Sequence, residues 1–124
     1  MIEYRNIHKA FDLPVLTGVD MRVETGEMFA LFGPSGTGKS VLLKTTIGLT
    51  IPDMGDVEVD GTSVFRGGKR ALEAVRQKVG YVFQHSALFD SLNVFDNVAM
   101  GVPEDELARM PRMETAAKVW EALE

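Results

Sequence analysis

The sequence predicts an α/β fold, and three observations support that prediction. Residues 28–32 form a short apolar run that is typical of a buried strand. Residues 33–40, GPSGTGKS, follow at once and fit the phosphate-binding pattern G-x-x-x-x-G-K-[ST] at every fixed position. Residues 41–47 then suit a helix, so strand, loop and helix occur in the order that a P-loop requires.

Two strands are predicted before this unit. Residues 2–7 alternate loosely between apolar and polar side chains, and residues 16–23 place valine and methionine side chains at period two. The second strand should therefore be half exposed. A turn at residues 25–26 leads from it into the buried strand.

The helix after the loop is predicted to run from Lys39 to about residue 49, because residues 51–55, IPDMG, stop it. Residues 57–59 then alternate between valine and glutamate and suit a short strand. An Asp-Gly turn at residues 60–61 closes that strand.

Another helix and strand follow. Residues 66–70 are predicted to be a basic surface turn and residues 71–78 a short helix. Residues 79–83 alternate as a strand that delivers Gln84 at its carboxyl end. In open α/β sheets, ligands bind at that end of the strands.

From residue 86 onward the pattern is helical. Asn93 suits the N-cap of one helix, and Pro103 and Pro111 each suit the first turn of a further one. The last stretch is amphipathic, and its apolar face is predicted to be a core stripe. That face holds Met113, Ala116, Ala117, Trp120 and Leu123.

The loop residues have the chemistry of a nucleoside triphosphate site. Glycines let the backbone approach an anion closely, and the helix that follows directs its positive end at the same place. Lys39 can then reach the outer phosphates, and the Ser40 hydroxyl can ligate Mg²⁺. The alternative is a glycine-rich turn that binds nothing. The candidate nucleotide-binding residues of the loop are Gly33, Pro34, Ser35, Gly36, Thr37, Gly38, Lys39 and Ser40.

Composition limits the remaining classes of function. With 45% hydrophobic and 25% charged residues, the 124 residues suit at most one soluble globular unit. A net charge of −5, with no basic cluster beyond Lys69 and Arg70, argues against a nucleic-acid binder. The chain has no cysteine, which excludes disulfides and thiolate sites. No apolar run approaches the roughly 18 residues of a membrane-spanning helix, so we expect any membrane connection to come through a partner.

The order of the motifs resembles the nucleotide-binding subunit of ATP-binding-cassette (ABC) transporters, from residue 2 to about residue 101. GYVFQ at residues 80–84 and NVFDNV at residues 93–98 are the most particular parts of the resemblance. Further matching segments are Phe11 with VL at 15–16, GL at 48–49 with Pro52, GDV at 55–57, DG at 60–61 and LF at 88–89. Residues 86–99 most resemble ATPases of MCE-linked phospholipid importers of the Mla type.

The resemblance implies roles for individual residues. Phe11 is expected to stack on the adenine ring of ATP, the alternative being an ordinary core aromatic. Gln84 is expected to approach Mg²⁺ and the attacking water, so Lys39 and Gln84 are the candidate catalytic residues and Ser40 and Gln84 the candidate metal ligands. Residues 86–99 are expected to contact a transmembrane permease subunit, with Leu88, Phe89 and Phe95 as contact surface or core. His85 is expected to be a bystander.

The resemblance also implies a domain organisation. Residues 1–26 and 54–65 correspond to an antiparallel β-subdomain, residues 27–53 and 66–85 to the P-loop NTPase core, and residues 86–124 to the start of a helical subdomain. The 124 residues contain neither the family's signature sequence L-S-G-G-Q, nor its hydrophobic strand that ends in an aspartate followed by the catalytic glutamate, nor its switch histidine. We therefore expect a truncated, N-terminal portion of the domain that binds nucleotide but hydrolyses little alone.

The parent protein is expected to be a cytoplasmic ATPase, peripheral on the membrane through its permease, that forms a head-to-tail dimer around Mg·ATP and drives transport of lipid or another hydrophobic solute. Two alternatives stay open. One is a nucleotide kinase of the guanylate type, whose loop is similar. The other is a non-catalytic fragment that binds a partner helix through residues 86–124.

Overall fold

The computed structural model describes residues 1–84, 87–102, 106 and 108–123. The chain divides into two compact units, Met1–Tyr81 and Val82–Glu124. The elements of the first are β1 (Ile2–Ala10), β2 (Pro14–Val23), α1 (Lys39–Thr46), β3 (Met54–Val59), β4 (Thr62–Ser63) and α2 (Gly68–Lys78). Those of the second are α3 (Val94–Ala99) and α4 (Arg112–Leu123). None of the helices within the described residues combines the length and apolarity that a membrane crossing needs.

The four strands form one antiparallel sheet in the order β2-β1-β3-β4. β1 lies between two neighbours, so that Ile2 pairs with Val23 of β2 on one side and with Val59 of β3 on the other. Asp60 and Gly61 join β3 to β4 with φ angles of 47° and 75°, the left-handed pair that a tight hairpin turn requires. The strands predicted at residues 2–7, 16–23 and 57–59 are confirmed.

The core of the first unit joins the sheet to both of its helices. Its buried residues come from β1, β2, β3, the segment after β4, α1 and α2: Tyr4, Ile7, Leu16, Leu42, Val57, Val59, Val64 and Val75. One buried polar contact crosses this core, between the Tyr4 hydroxyl and Thr46 Oγ1 at 2.6 Å. It ties the central strand to the last turn of α1, which is the helix that begins at the glycine-rich loop.

The two helices of this unit meet where α1 ends. Gly48 has a left-handed φ of +66°, and a Cβ there would lie 2.7 Å from Leu72 Cδ1 of α2. The Arg76 Nε of α2 donates to the Ile47 carbonyl at 2.9 Å, which satisfies one of the acceptors that a helix end leaves unpaired. Helix α1 therefore ends at Thr46, a little before its predicted end.

Helix α2 begins earlier than predicted. Gly68, Lys69 and Arg70 were expected in a basic surface turn, but they form its first turn. An ion pair one helical turn apart, between Lys69 and Glu73 at 3.7 Å, accompanies this earlier start. The expected surface position of the basic side chains is correct, because Lys69 is 89% exposed.

The strands predicted at residues 28–32 and 79–83 are wrong. The described sheet consists of β1 to β4, and no strand lies in or beside either segment. In residues 28–32, Met28 is 98% exposed and Phe32 90%; in residues 79–83, Val79 packs partly buried against the core but Val82 is 94% exposed. A parallel strand needs a hydrogen-bonding neighbour and a cover on both faces, and the described residues supply both to neither segment.

The second unit contains α3 and α4. Asn93 caps α3 as predicted, since its side-chain oxygen accepts from the Asp96 amide at 2.9 Å. Asn97 holds the preceding loop, because its side chain accepts from the Phe89 amide at 2.8 Å and donates to the Leu92 carbonyl at 3.1 Å. This part of the unit is organised by polar side chains rather than by a large core.

The predicted apolar stripe of α4 faces the wrong way. Among the side chains of α4 that the structure describes, Thr115 and Val119 are buried, whereas Met113 is 84% exposed and Trp120 66%. The side chain of Leu123 lies outside this described set. The periodicity identified an amphipathic helix, but the arc that packs is the one holding the two β-branched side chains. Pro111 directly precedes this helix, and Pro103 lies outside the described residues.

Candidate functional site

The loop at residues 33–40 has the backbone of an anion-binding nest. Gly36 and Gly38 adopt left-handed φ angles of +82° and +91°, which a residue with a Cβ enters only with strain. Within the described chain, the backbone amides of residues 35–40 donate to no protein acceptor. Unpaired amides beside left-handed glycines, at the positive end of α1, are the groups that bind phosphate.

Lys39 is held by the loop itself. Its ammonium donates to the carbonyls of Gly33, at 2.6 Å, and Pro34, and lies 3.4 Å from Thr37 Oγ1. The Thr37 hydroxyl in turn donates to the Pro34 carbonyl at 2.8 Å. The only cation of the loop is therefore fixed against its first two residues, beside the unpaired amides.

Gly38 is where the loop packs against the sheet. A Cβ at this position would lie 2.9 Å from both Val15 Cγ1 and Leu16 Cδ2 of β2. A Cβ at Gly36 would meet nothing within 4 Å, and one at Gly33 would lie 3.3 Å from Thr37 Oγ1. Gly38 thus permits close approach to β2, Gly36 permits a left-handed turn, and Gly33 leaves room for the loop's own side chains.

Ser40 lies at the start of α1 and is exposed, and its hydroxyl has no partner among the described residues. A free hydroxyl beside a phosphate nest fits Mg²⁺, which keeps most of its waters and takes one or two protein ligands together with phosphate oxygens. The described residues contain no cluster of three or more histidine or acidic side chains that could hold a metal without such help.

A cavity of about 350 Å³ adjoins the loop. Its walls come from β2, from the end of the exposed apolar run at residues 28–32, from the loop and from α1. They are Leu16, Val19, Leu31, Phe32, Gly33, Pro34, Thr37, Gly38, Lys39 and Leu42. Most of these side chains are apolar, so the cavity suits a hydrocarbon or aromatic group better than a phosphate. The phosphate-binding groups are the loop amides and Lys39.

Phe11 lies in the turn between β1 and β2 and is 63% exposed. It is therefore not the core aromatic of the alternative interpretation. The Lys9 ammonium lies 5.4 Å from the centroid of its ring. Asp53 holds both that lysine, at 2.8 Å, and the Ala10 amide, at 2.7 Å.

These bonds lower the pKa of Asp53 below its ordinary value, the Lys9 hydrogen bond contributing most and the Ala10 amide next. Neither Asp53 nor Lys9 was identified from the sequence, where Asp53 served only to mark the end of a helix. They are 44 positions apart, and no short-range pattern connects them.

Gln84 is exposed and belongs to the second unit, whereas Lys39 and Ser40 belong to the first. His85 and Ser86 lie outside the described residues. In the expected permease-contact region, Leu88 is 70% exposed and Phe89 53%. These side chains are exposed surface and not core.

Comparison with known proteins identifies relatives of this chain. A family profile described as "ABC transporter" matches residues 16–124. The sulfate/thiosulfate import ATP-binding protein CysA of Rhodopseudomonas palustris is 51% identical over 102 residues, which cover 82% of this chain and 28% of that protein. The methionine import ATP-binding protein MetN 1 of Pseudomonas syringae pv. syringae is 40% identical over 129 residues, covering 100% of this chain and 38% of that protein.

Solved structures give a consistent result. A dimeric, post-hydrolysis structure of the ATP-binding cassette MJ0796 bound to ADP and Pi matches with a TM-score of 0.84 and 26% identity, covering 99% of this chain and 56% of that one. The ATP-binding subunit of an ABC transporter matches with a TM-score of 0.71 and 28% identity, covering 88% and 46%. The chain spans between 28% and 38% of the length of the two curated relatives named above.

Proposed function

This chain belongs to the ABC transporter family, and we propose that it is the N-terminal portion of an ATP-binding subunit that binds Mg·ATP at residues 33–40. The observation that supports this best is the loop: its amides from residue 35 to residue 40 have no protein acceptor, and Lys39 lies beside them. Such a nest prefers a polyphosphate to water, because an anion satisfies several donors at once.

Each loop residue has a distinct role in this proposal. The amides bind the phosphate oxygens, and Lys39 exchanges its carbonyl acceptors at Gly33 and Pro34 for the outer phosphates. The Ser40 hydroxyl is the protein ligand of Mg²⁺, which would neutralise phosphate charge when bound. Phe11 stacks on the base, and Gln84 keeps the metal- and water-contacting role that the family resemblance implies. The MJ0796 cassette, whose structure contains ADP and Pi, supports ATP as the nucleotide.

The whole protein's activity is also a proposal. We expect ATP hydrolysis that is coupled to transport, with a transmembrane permease subunit and a second copy of the ATPase as partners, at the cytoplasmic face of the membrane. The dimer of MJ0796 and the import proteins among the relatives support these partners. The 124 residues contain neither L-S-G-G-Q nor a hydrophobic strand that ends in an aspartate-glutamate pair, so we expect the chain alone to bind nucleotide and turn it over slowly.

Two classes of transported solute are possible for the whole protein. The resemblance of residues 86–99 to Mla-type ATPases favours a lipid or another hydrophobic solute. The named relatives import sulfate, thiosulfate or methionine, which favours a small polar solute. We expect the permease to contact the solute, so identifying the permease that co-purifies with the full-length protein separates the two classes.

Calorimetric titration with Mg·ATP tests nucleotide binding. Lys39→Ala should weaken binding by about tenfold or more, because a charge-assisted contact to phosphate is lost. Lys44→Ala is the matched control, since this lysine is in the last turn of the same helix and should leave binding unchanged. Equal affinity of wild type and Lys39→Ala would reject the site and favour the non-catalytic fragment. The guanylate-type kinase is set aside by the family match.

A further inference from the structure

The turn that carries Phe11 is fastened to the rest of the first unit by one carboxylate. Asp53 Oδ1 accepts from the Lys9 ammonium at 2.8 Å, and Oδ2 accepts from the Ala10 amide at 2.7 Å. The Asp53 amide also donates to the His8 carbonyl at 2.8 Å. Three consecutive residues before Phe11 are therefore bonded to a single residue that precedes β3.

We propose that Asp53 and Lys9 are positioning residues that orient the Phe11 ring to receive the adenine base of ATP, a role that rests on the nucleotide site proposed above. Asp53 holds Lys9, and Lys9 places its ammonium 5.4 Å from the centre of the Phe11 ring. The Lys9 ammonium thereby covers one face of the ring. The opposite face is the one on which we propose that the adenine base stacks.

The physical reason is the exposure of Phe11. A ring that is 63% exposed has few packing contacts to hold it, so a stacking base would have to order it on binding. A cation over the ring face restricts the motion of the ring before the base binds. This cation–ring contact is stronger when the cation is removed from water. Lys9 meets this condition, because its side chain is only 17% exposed.

The arrangement differs from an ordinary surface ion pair. In the second unit, Lys118 and Glu106 form an ion pair at 2.6 Å in which one carboxylate oxygen accepts from one ammonium. Asp53 instead binds a side chain and a main-chain amide together, and these two bonds lower the pKa of its carboxyl. It fixes the backbone of the turn as well as the lysine.

The same turn is connected to the phosphate loop. β2 begins at Pro14, and its next two residues, Val15 and Leu16, lie against Gly38. Phe11 precedes Val15 by four residues, which at about 3.3 Å per residue places it within about 13 Å of that contact. One strand therefore links the proposed base contact to the proposed phosphate contact.

The test compares two probes, Mg·ATP and inorganic tripolyphosphate with Mg²⁺, in calorimetric titrations of the same chain. Asp53→Asn and Lys9→Gln should each weaken ATP binding by roughly two- to fivefold and leave tripolyphosphate binding unchanged, since only ATP has a base to stack. Phe11→Ala should have the same base-dependent loss. Combining it with Asp53→Asn should add nothing, because both act through one ring.

Asp60→Asn is the matched control. Asp60 is an exposed carboxylate of similar accessibility, 49% against 51%, with its own ion pairs to the N-terminal amino group and to Lys78. It should change neither affinity. Equal losses for both probes in Asp53→Asn would show a merely structural role and overturn the proposal, as would losses that multiply in the double variant. Failure of the nucleotide site itself is distinguishable, because wild type would then bind neither probe.

Discussion

Two glycines of the loop have nearly the same backbone and different surroundings. Gly36 and Gly38 have φ angles of +82° and +91°, so both resist a side chain for conformational reasons. Only Gly38 is also confined by neighbours, since Val15 and Leu16 of β2 would each be 2.9 Å from a Cβ. The pair separates backbone strain from steric overlap at one site.

Alanine substitutions should therefore differ in their effect on the free energy of unfolding. Gly36→Ala should cost about 1–2 kcal/mol, the price of a left-handed non-glycine residue. Gly38→Ala should cost a further 1–3 kcal/mol or so, because the methyl group overlaps two side chains. Urea unfolding of both variants measures the difference. Equal losses of unfolding free energy in the two variants would mean that Val15 and Leu16 of β2 move aside for the methyl group at no energetic cost.

The loop could be predicted from the sequence because its geometry is local: glycines, lysine and serine at fixed spacing dictate both conformation and ligand. Phe11 could be proposed only through the resemblance, since an aromatic side chain has many uses. Lys9 and Asp53 could not be found, because their contact joins distant positions through the folding of β1 beside β3.

At the scale of elements, the contact that joins β1 to α1 is the 2.6 Å hydrogen bond between the hydroxyls of Tyr4 and Thr46. Both residues are buried, and burial raises the pKa of Tyr4. Each hydroxyl satisfies the other where water does not reach. Removing one leaves the other unsatisfied, which is more costly than removing both.

Tyr4→Phe and Thr46→Val should each lower the free energy of unfolding by about 1–3 kcal/mol. The double variant should lose no more than the worse single variant, because no orphaned hydroxyl then remains. Denaturant unfolding of the four proteins completes a double-mutant cycle. Additive losses would indicate that the two hydroxyls stabilise the chain independently.

The element predictions succeeded where the side-chain pattern of the segment itself is sufficient. β2 and β3 each pair with β1 and have the alternation of a half-exposed strand, and Asn93 caps its own helix. Residues 28–32 and 79–83 failed because an apolar run shows that a segment suits burial but does not supply its cover. α4 failed differently, since helical periodicity gives spacing without saying which arc meets a neighbour.

At the scale of the molecule, three carboxylates of the described residues link stability to pH. Glu3, Asp53 and Asp60 have pKa values below their ordinary ones, chiefly through hydrogen bonds from Arg5, Lys9 and the N-terminal amino group respectively. A lowered folded pKa means that the stabilisation is fully present above the ordinary values of about 4 and is lost as the pH falls through the folded ones.

The free energy of unfolding should therefore decline as the pH falls below the ordinary carboxyl values of about 4. Asp60→Asn should be less stable than wild type at neutral pH and should decline less steeply in acid, because one of the linked protons is gone. Urea unfolding across this range, at constant ionic strength, measures both slopes. Parallel curves for the two proteins would show that Asp60 does not contribute.

The hydrogen bonds from the Lys39 ammonium to the Gly33 and Pro34 carbonyls affect how the Lys39→Ala variant should be interpreted. The C-terminal end of the loop packs against β2 at Gly38, whereas its N-terminal end follows the exposed residues 28–32. The hydrogen bonds from Lys39 therefore hold the N-terminal end of the loop in place. Alanine at position 39 would remove a charge and also free one end of the loop. Amide hydrogen exchange at residues 33–36 would reveal that loosening before any nucleotide is added, and the remainder of the lost affinity could then be attributed to the ammonium.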